Sequence, residues 1–370
     1  MQPTRTLDTA RHRTFRSRGL TLIELLVGIA ISSLIIVGTV FVYSQSRTTT
    51  ALNEKQARLQ EYGRYVLGII EPDLQLAGYY GFSNNPSDLR YKDGTGEYPT
   101  SQLEQTDALP LKVTAPAAIH TCGNNFVIDL LATVQGTNAI YGGPSGTGAC
   151  GAKFGYQAGT DTLTIRRAST AATAQTVSRI QIYANALKRS NQYIFSSNTA
   201  PGPMDATREV HDLIVRMYYI SQKSDGSDTT PSLRRKFLTD GPSIGDEEIL
   251  PGVEDMQVQF GIDAGDHKGS GKIDMDDDKN GVPDNPNGVI SRYVAPDDNM
   301  LKPPAAGGRK AQVVAVRIWL RIRSDETEVG FKDTHNYTYA GINYTPAGAD
   351  QGYRRVVVSR TIFLRNARTL

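Results

Sequence analysis

The run Leu20–Tyr43, LTLIELLVGIAISSLIIVGTVFVY, is 24 residues long and carries a single charge, Glu24. As a helix it extends about 36 Å, more than a hydrocarbon core of about 30 Å. No second run of that kind follows, so the sequence predicts one membrane crossing. Arg5, Arg11, Arg13, Arg16 and Arg18 precede the run, while the uncharged Ser44, Gln45 and Ser46 and then the lone Arg47 follow it. That bias puts the N-terminus in the cytoplasm and the long C-terminal part across the membrane. A secretory signal peptide has a shorter apolar core ending in small residues, which YSQSR does not supply.

Glu24 needs an explanation. A carboxylate in lipid costs roughly 2.5–3.5 kcal/mol on insertion scales and marks a functional position by default, and this helix offers it no cation. The surrounding residues, Arg18-Gly19-Leu20-Thr21-Leu22-Ile23-Glu24-Leu25-Leu26, resemble the type IV prepilin processing motif. The resemblance implies that a prepilin peptidase cuts after Gly19 and methylates the new N-terminus at Leu20, where the family more often has phenylalanine. Glycine before the cut lets the backbone lie close to a protease cleft. Removing the leader creates an α-ammonium on Leu20, and Glu24 can then pair with the ammonium of a neighbouring subunit. Glu24 is thereby an assembly residue, and no residue is read as catalytic.

The formal charge of +2 divides unevenly. The first 19 residues hold five arginines and one acid, Asp8, and the remaining 351 hold 35 basic and 37 acidic residues. The chain beyond the leader is slightly acidic, so bulk charge gives no case for nucleic-acid binding and none specific is predicted. Leu52, Leu59, Tyr62, Val66 and Ile69 continue a helical stripe, which Pro72 is expected to end. A helix from Leu20 to about Glu71 would be roughly 78 Å long. The expected organisation is a leader over 1–19, a helix over 20–72 with 20–43 in the membrane, and a globular domain over 73–370.

In that domain the pattern turns to strands. Val314, Val316, Ile318, Leu320 and Ile322 alternate with Arg317, Trp319, Arg321 and Arg323. Met256, Val258, Phe260 and Ile262 alternate with Gln257 and Gln259, and Val356–Leu364 reads as a last strand. Leu163–Ile165 and Ile214–Ile220 give weaker signals. Period-two alternation marks sheets with one buried face, so the fold class is α+β, a long hydrophobic helix packed on antiparallel sheet. The segments 74–81, 252–261, 313–323 and 354–366 resemble, in that order, the minor pilins of the PilW family; the type II secretion pseudopilin GspJ is the nearest alternative. Residues 83–205 match nothing in that resemblance and read as a variable insertion.

Two further features concern ligands. Cys122 and Cys150 lie in the exported part, where thiols are oxidised; a bridge would close a loop of about 29 residues, worth roughly 3–4 kcal/mol. Two free buried thiols are the alternative. Asp276, Asp278, Asn280 and Asp284, with Gly281 at the turn and the Val282 carbonyl, repeat the first nine positions of an EF-hand-type calcium loop. The twelfth position is Asn287, so the bidentate carboxylate is missing, and a solvated acidic loop accounts for the pattern equally.

Other motifs are decoys. Gly146-Thr-Gly148-Ala-Cys150-Gly151 follows no strand and opens no helix, so it is no dinucleotide site. Asn336-Tyr-Thr338 and Asn343-Tyr-Thr345 match the glycosylation sequon and read as loop residues. The arginines of the last strands read as a solvated sheet face. The resemblance implies a minor pilin, anchored in the inner membrane with its domain in the periplasm, that needs no cofactor, works with other minor pilins and the major pilin, and joins a tip complex that carries an adhesin. Twitching, adhesion and DNA uptake would follow from the filament. The alternative of another class is a membrane-tethered, calcium-dependent binding module.

Overall fold

The computed structural model of the protein describes residues 19–92, 97–99, 126–144, 150–188, 192–195, 201–241, 243–263, 288–301 and 311–367. The chain divides into two compact units, Met1–Lys55 and Gln56–Leu370. Helix α1, Leu22–Gln75, contributes to both. Along its first part, Ser33, Thr39, Thr48, Thr49 and Thr50 give their hydroxyls to carbonyls three or four residues back. Hydroxyls satisfied in this way expose little polarity on an apolar helix.

The helix does not stop at Pro72, as the sequence predicts, but runs three residues further. Proline removes one donor, the one that would reach the Gly68 carbonyl. Gly68 is exposed, so solvent can serve that carbonyl, and the next turn closes through Leu76 N–H to the Pro72 carbonyl at 3.2 Å. Burial of Asp73 and Leu74 holds the last turn.

The second unit contains β1 (Leu89–Lys92), β2 (Glu97–Pro99), β3 (Val134–Thr137), β4 (Thr162–Ala168), β5 (Gln181–Asn185), β6 (Gln192–Phe195), β7 (Arg208–Ser221) and β8 (Ser232–Thr239). It continues with β9 (Ser243–Pro251), β10 (Val253–Asp263), β11 (Arg292–Val294), β12 (Gln312–Arg323), β13 (Tyr337–Tyr339), β14 (Ile342–Tyr344) and β15 (Arg355–Phe363). Among the described residues a nine-stranded sheet has the order β2-β1-β6-β5-β7-β4-β3, with β8 on β7 and β9 on β8. A four-stranded antiparallel sheet has the order β11-β10-β12-β15, and β13–β14 is a separate hairpin. The larger sheet is mixed, because β1 pairs with β6 in parallel.

The α1 face that packs on these sheets is Leu59, Gly63, Val66, Leu67, Ile70 and Leu74. It is turned from the predicted stripe, leaving Tyr62 and Ile69 half-buried at its margin. The cause is Gly63: a Cβ there would lie 2.6 Å from Val358 Cγ1, so the helix approaches β15 through a residue that no hydrophobic pattern reports. Strand β7 serves two cores at once. Tyr218 and Ile220 join the core shared with α1, β10 and β12, while Leu213, Val215, Met217 and Tyr219 join a second core with Tyr80, Leu130 and Ile182. Residues 83–205, read from the sequence as a variable insertion, contribute to the cores. They supply β1–β6, and Leu163 and Ile165 of β4 lie in the main core.

Candidate assembly site

Thr21 stands immediately before α1 and caps it. The Thr21 N–H and Oγ both donate to Glu24 Oε2 at 2.9 Å, and Glu24 N–H returns a bond to Thr21 Oγ at 3.3 Å. This is a reciprocal capping box, the Thr-x-x-Glu pattern at a helix start. Glu24, which the sequence left without a partner, is held by its own helix end; Thr21 is the residue that reading missed, although its spacing was legible. Gly19 and Leu20, directly upstream, are exposed.

The rest of that segment is apolar and uncovered. Every residue from Gly19 to Ala51 is exposed, Leu22 at 81%. The best 18-residue window of α1 has a mean hydropathy of 2.7, long and apolar enough to cross a membrane. An apolar surface of this extent needs lipid or other helices around it.

In the second unit, the strand arginines are not a solvated face. Arg321, Arg323 and Arg355 are buried. Arg355 holds Glu254 with both arms, Nε to Oε2 at 2.8 Å and Nη2 to Oε1 at 2.9 Å, and Arg321 Nε reaches Oε2 at 3.0 Å. The chain between β12 and β15 roofs them: Arg321 lies 3.5 Å from the centre of the Tyr344 ring, and Asp333 pairs with Arg355 at 3.4 Å. Burial opposes the Arg355 charge, yet Glu254 and Asp333 hold its guanidinium above the ordinary value. Burial and the neighbouring Asp255 carboxylate push the Tyr339 phenol up. The two sequons sit on that hairpin and its flanks, not in a loop, and Thr338 Oγ1 donates to Asn343 Oδ1 at 2.8 Å.

Asp161 is the carboxyl with the clearest pH signature. It is buried between β4 and β10, accepting the Ala139 N–H at 3.0 Å and the Val258 N–H at 2.8 Å. Burial pushes its pKa up to about 6, the two amides oppose this, and the Asp255 and Asp297 charges add to it. A carboxyl raised on folding stabilises the fold fully below its unfolded pKa, and loses that contribution as pH rises through about 6. The Asp161 13Cγ resonance should therefore titrate near pH 6; a midpoint near that of a free aspartate contradicts the assignment.

Cys150 is buried in the second core, and among the described residues no cysteine is free. Cys122 lies outside the described residues, as do Asp276, Asp278, Asn280, Val282 and Asp284. Among the described residues no group of three His, Cys, Asp or Glu is placed to hold a metal. One pocket of about 210 Å3 is lined by Ser169, Arg179, Asp212, Thr239 and Asp240, and Arg179 on its wall pairs with both aspartates.

Two family models match the chain. One, described as Type IV Pilus-assembly protein W, matches residues 217–366, which include every member of the Glu254 cluster. The other, the prokaryotic N-terminal methylation motif, matches residues 14–40. No curated protein matches, and no solved structure does.

Proposed function

We propose that this protein, which matches the type IV pilus-assembly protein W model over residues 217–366 and the methylation motif over residues 14–40, is a pilus-related minor pilin whose task is to help start the filament. The observation that carries the reading is the uncovered apolar segment that makes up most of the match to the methylation motif, with Glu24 near its start. The motif implies processing by prepilin peptidase and assembly with other pilins. In our reading the N-terminus is cytoplasmic before the cut, and the second unit lies in the periplasm until the helix leaves the bilayer for the filament. Helix packing then supplies affinity, while the sheets set which neighbour is accepted.

The chain would sit with other minor pilins in a priming complex that becomes the tip, above the major pilin and in contact with an adhesin. Twitching, adhesion and DNA uptake follow from the filament rather than from this chain. The reading requires no cofactor. A Cys122–Cys150 disulfide and calcium at Asp276, Asp278, Asn280, Val282 and Asp284 are separate proposals that it does not depend on. Deletion of the gene should remove surface pili counted by electron microscopy, with recovery on re-expression. Normal piliation with a loss of protein secretion would transfer the chain to a secretion pseudopilus.

A further inference from the structure

Strand β15 ends the four-stranded sheet. Among the described strands it pairs only with β12, from Arg355 to Phe363 without a break in register. Leu364 gives its N–H to the Val314 carbonyl at 3.0 Å. In an antiparallel ladder this parity turns the backbone groups of Val356, Val358, Arg360 and Ile362 toward β12 and those of Val357, Ser359, Thr361 and Phe363 toward the open side. These last four residues make no backbone–backbone hydrogen bond to any other described residue on that side.

Proteins blunt such edges, and this one does so elsewhere. Edge strands β2, β3 and β11 are three or four residues long. Edge strand β9 carries Asp246, Glu247 and Glu248, has a register break opposite Leu233 and Arg234, and ends on Pro251. Strand β15 has nine residues, no proline and no bulge. Its two arginines are engaged within the chain, Arg355 by Glu254 and Arg360 by Glu71 at 2.7 Å. Phe363, 62% exposed, lies at its end. Arg317, the cross-strand neighbour of Thr361, donates Nε to the Thr361 hydroxyl at 3.0 Å and stacks 3.7 Å from the Tyr293 ring centre. No carboxylate among the described residues pairs with it.

We propose that the open edge of β15 takes up an extended segment of another subunit by strand addition, with an acidic side chain of that segment set against Arg317. The row of backbone donors and acceptors demands an extended chain, the unpaired guanidinium demands a carboxylate, and Phe363 gives an apolar seat. The proposal rests on the reading that the chain works among other pilins. A second copy does not fit the edge. Residues 56–75 of α1 run alongside β15 in the same direction, from Gly63 at Val358 to the Gln75 carbonyl, which accepts the Arg365 N–H at 3.3 Å. In either direction a second β15, whose sequence is RVVVSRTIF, brings no carboxylate to Arg317. Parallel self-pairing in register would set Arg360 against Arg360, a like-charge pair.

The test uses the full chain in detergent micelles and two labelled octapeptides, TVEVTVEV and TVKVTVKV, read by fluorescence anisotropy. The acidic peptide should saturate below about 1 mM and bind about tenfold more tightly than the lysine peptide. Ser359→Pro removes one outward amide and spares the β12 ladder; it should weaken the acidic peptide about tenfold with an unchanged melting temperature. Arg317→Gln should erase the preference between the peptides, and this result decides the matter if Ser359→Pro does not fold. Equal binding to a folded Ser359→Pro variant, no binding to the wild type at about 1 mM, or dimers that Ser359→Pro dissolves would each overturn the proposal. Pilus loss on gene deletion is read independently, so failure here leaves the minor-pilin reading standing.

Discussion

Replacing Glu24 with alanine should leave the chain processed and membrane-bound but absent from filaments. Three effects compete. Loss of the carboxylate makes the apolar segment easier to hold in lipid, by roughly 2.5–3.5 kcal/mol on insertion scales. Loss of the capping box with Thr21 costs about 0.5–2 kcal/mol at the helix start. In a filament the neighbour's α-ammonium would be stranded among apolar helices, and breaking a buried pair in that way costs about 3–5 kcal/mol. The last term dominates assembly and corresponds to a hundredfold loss or more. Immunoblots of sheared filaments and of membranes should show the variant in the membrane fraction alone. Thr21→Ala separates the causes, since it removes the cap and keeps the charge. If Thr21→Ala were excluded from filaments as strongly as Glu24→Ala, helix capping would be the whole role of Glu24.

The largest stability loss is expected at Asp73. This carboxylate is 1% exposed and lies in the last turn of α1. Arg167 Nη2 reaches it at 2.9 Å, Arg216 Nη1 at 2.8 Å and the Tyr218 hydroxyl at 2.8 Å, so strands β4 and β7 are both tied to the helix end. Burial, with the Asp73 charge beside it, raises the Tyr218 phenol. Asp73→Ala leaves Arg167 buried without its anion and should lower unfolding free energy by about 3–5 kcal/mol. Denaturant titration of the full chain in detergent measures this. A loss under about 1 kcal/mol would mean that water serves the arginines and that the pairing is incidental.

What could be read from the residues follows the physics of each element. An apolar run with one carboxylate announces itself, because lipid admits few alternatives. Strand β12 was legible because only one of its faces is apolar. Strand β7 gave only the weaker signal over Ile214–Ile220, since Tyr218 and Met217 lie on opposite faces and are both buried, so period-two alternation fades. Arg321, Arg323 and Arg355 misled for a related reason. Charge at alternate positions signals solvent, and nothing local reveals that a distant Glu254 and the chain between β12 and β15 will cover it. Gly63 escaped because close approach is written as a missing side chain, and the end of α1 escaped because Asp73 finds its partners on β4 and β7. At the candidate site the charge was legible, whereas its Thr21 partner required the capping pattern to be recognised inside an apolar run.

In our proposal one segment does two jobs, held in a bilayer first and between helices afterwards, with a new amino group at its head. Mass spectrometry of the N-terminal peptide from purified pili tests that most directly. The peptide should begin at Leu20 and carry one added methyl group. A peptide that retains Met1, or one that begins at any other residue, would contradict it.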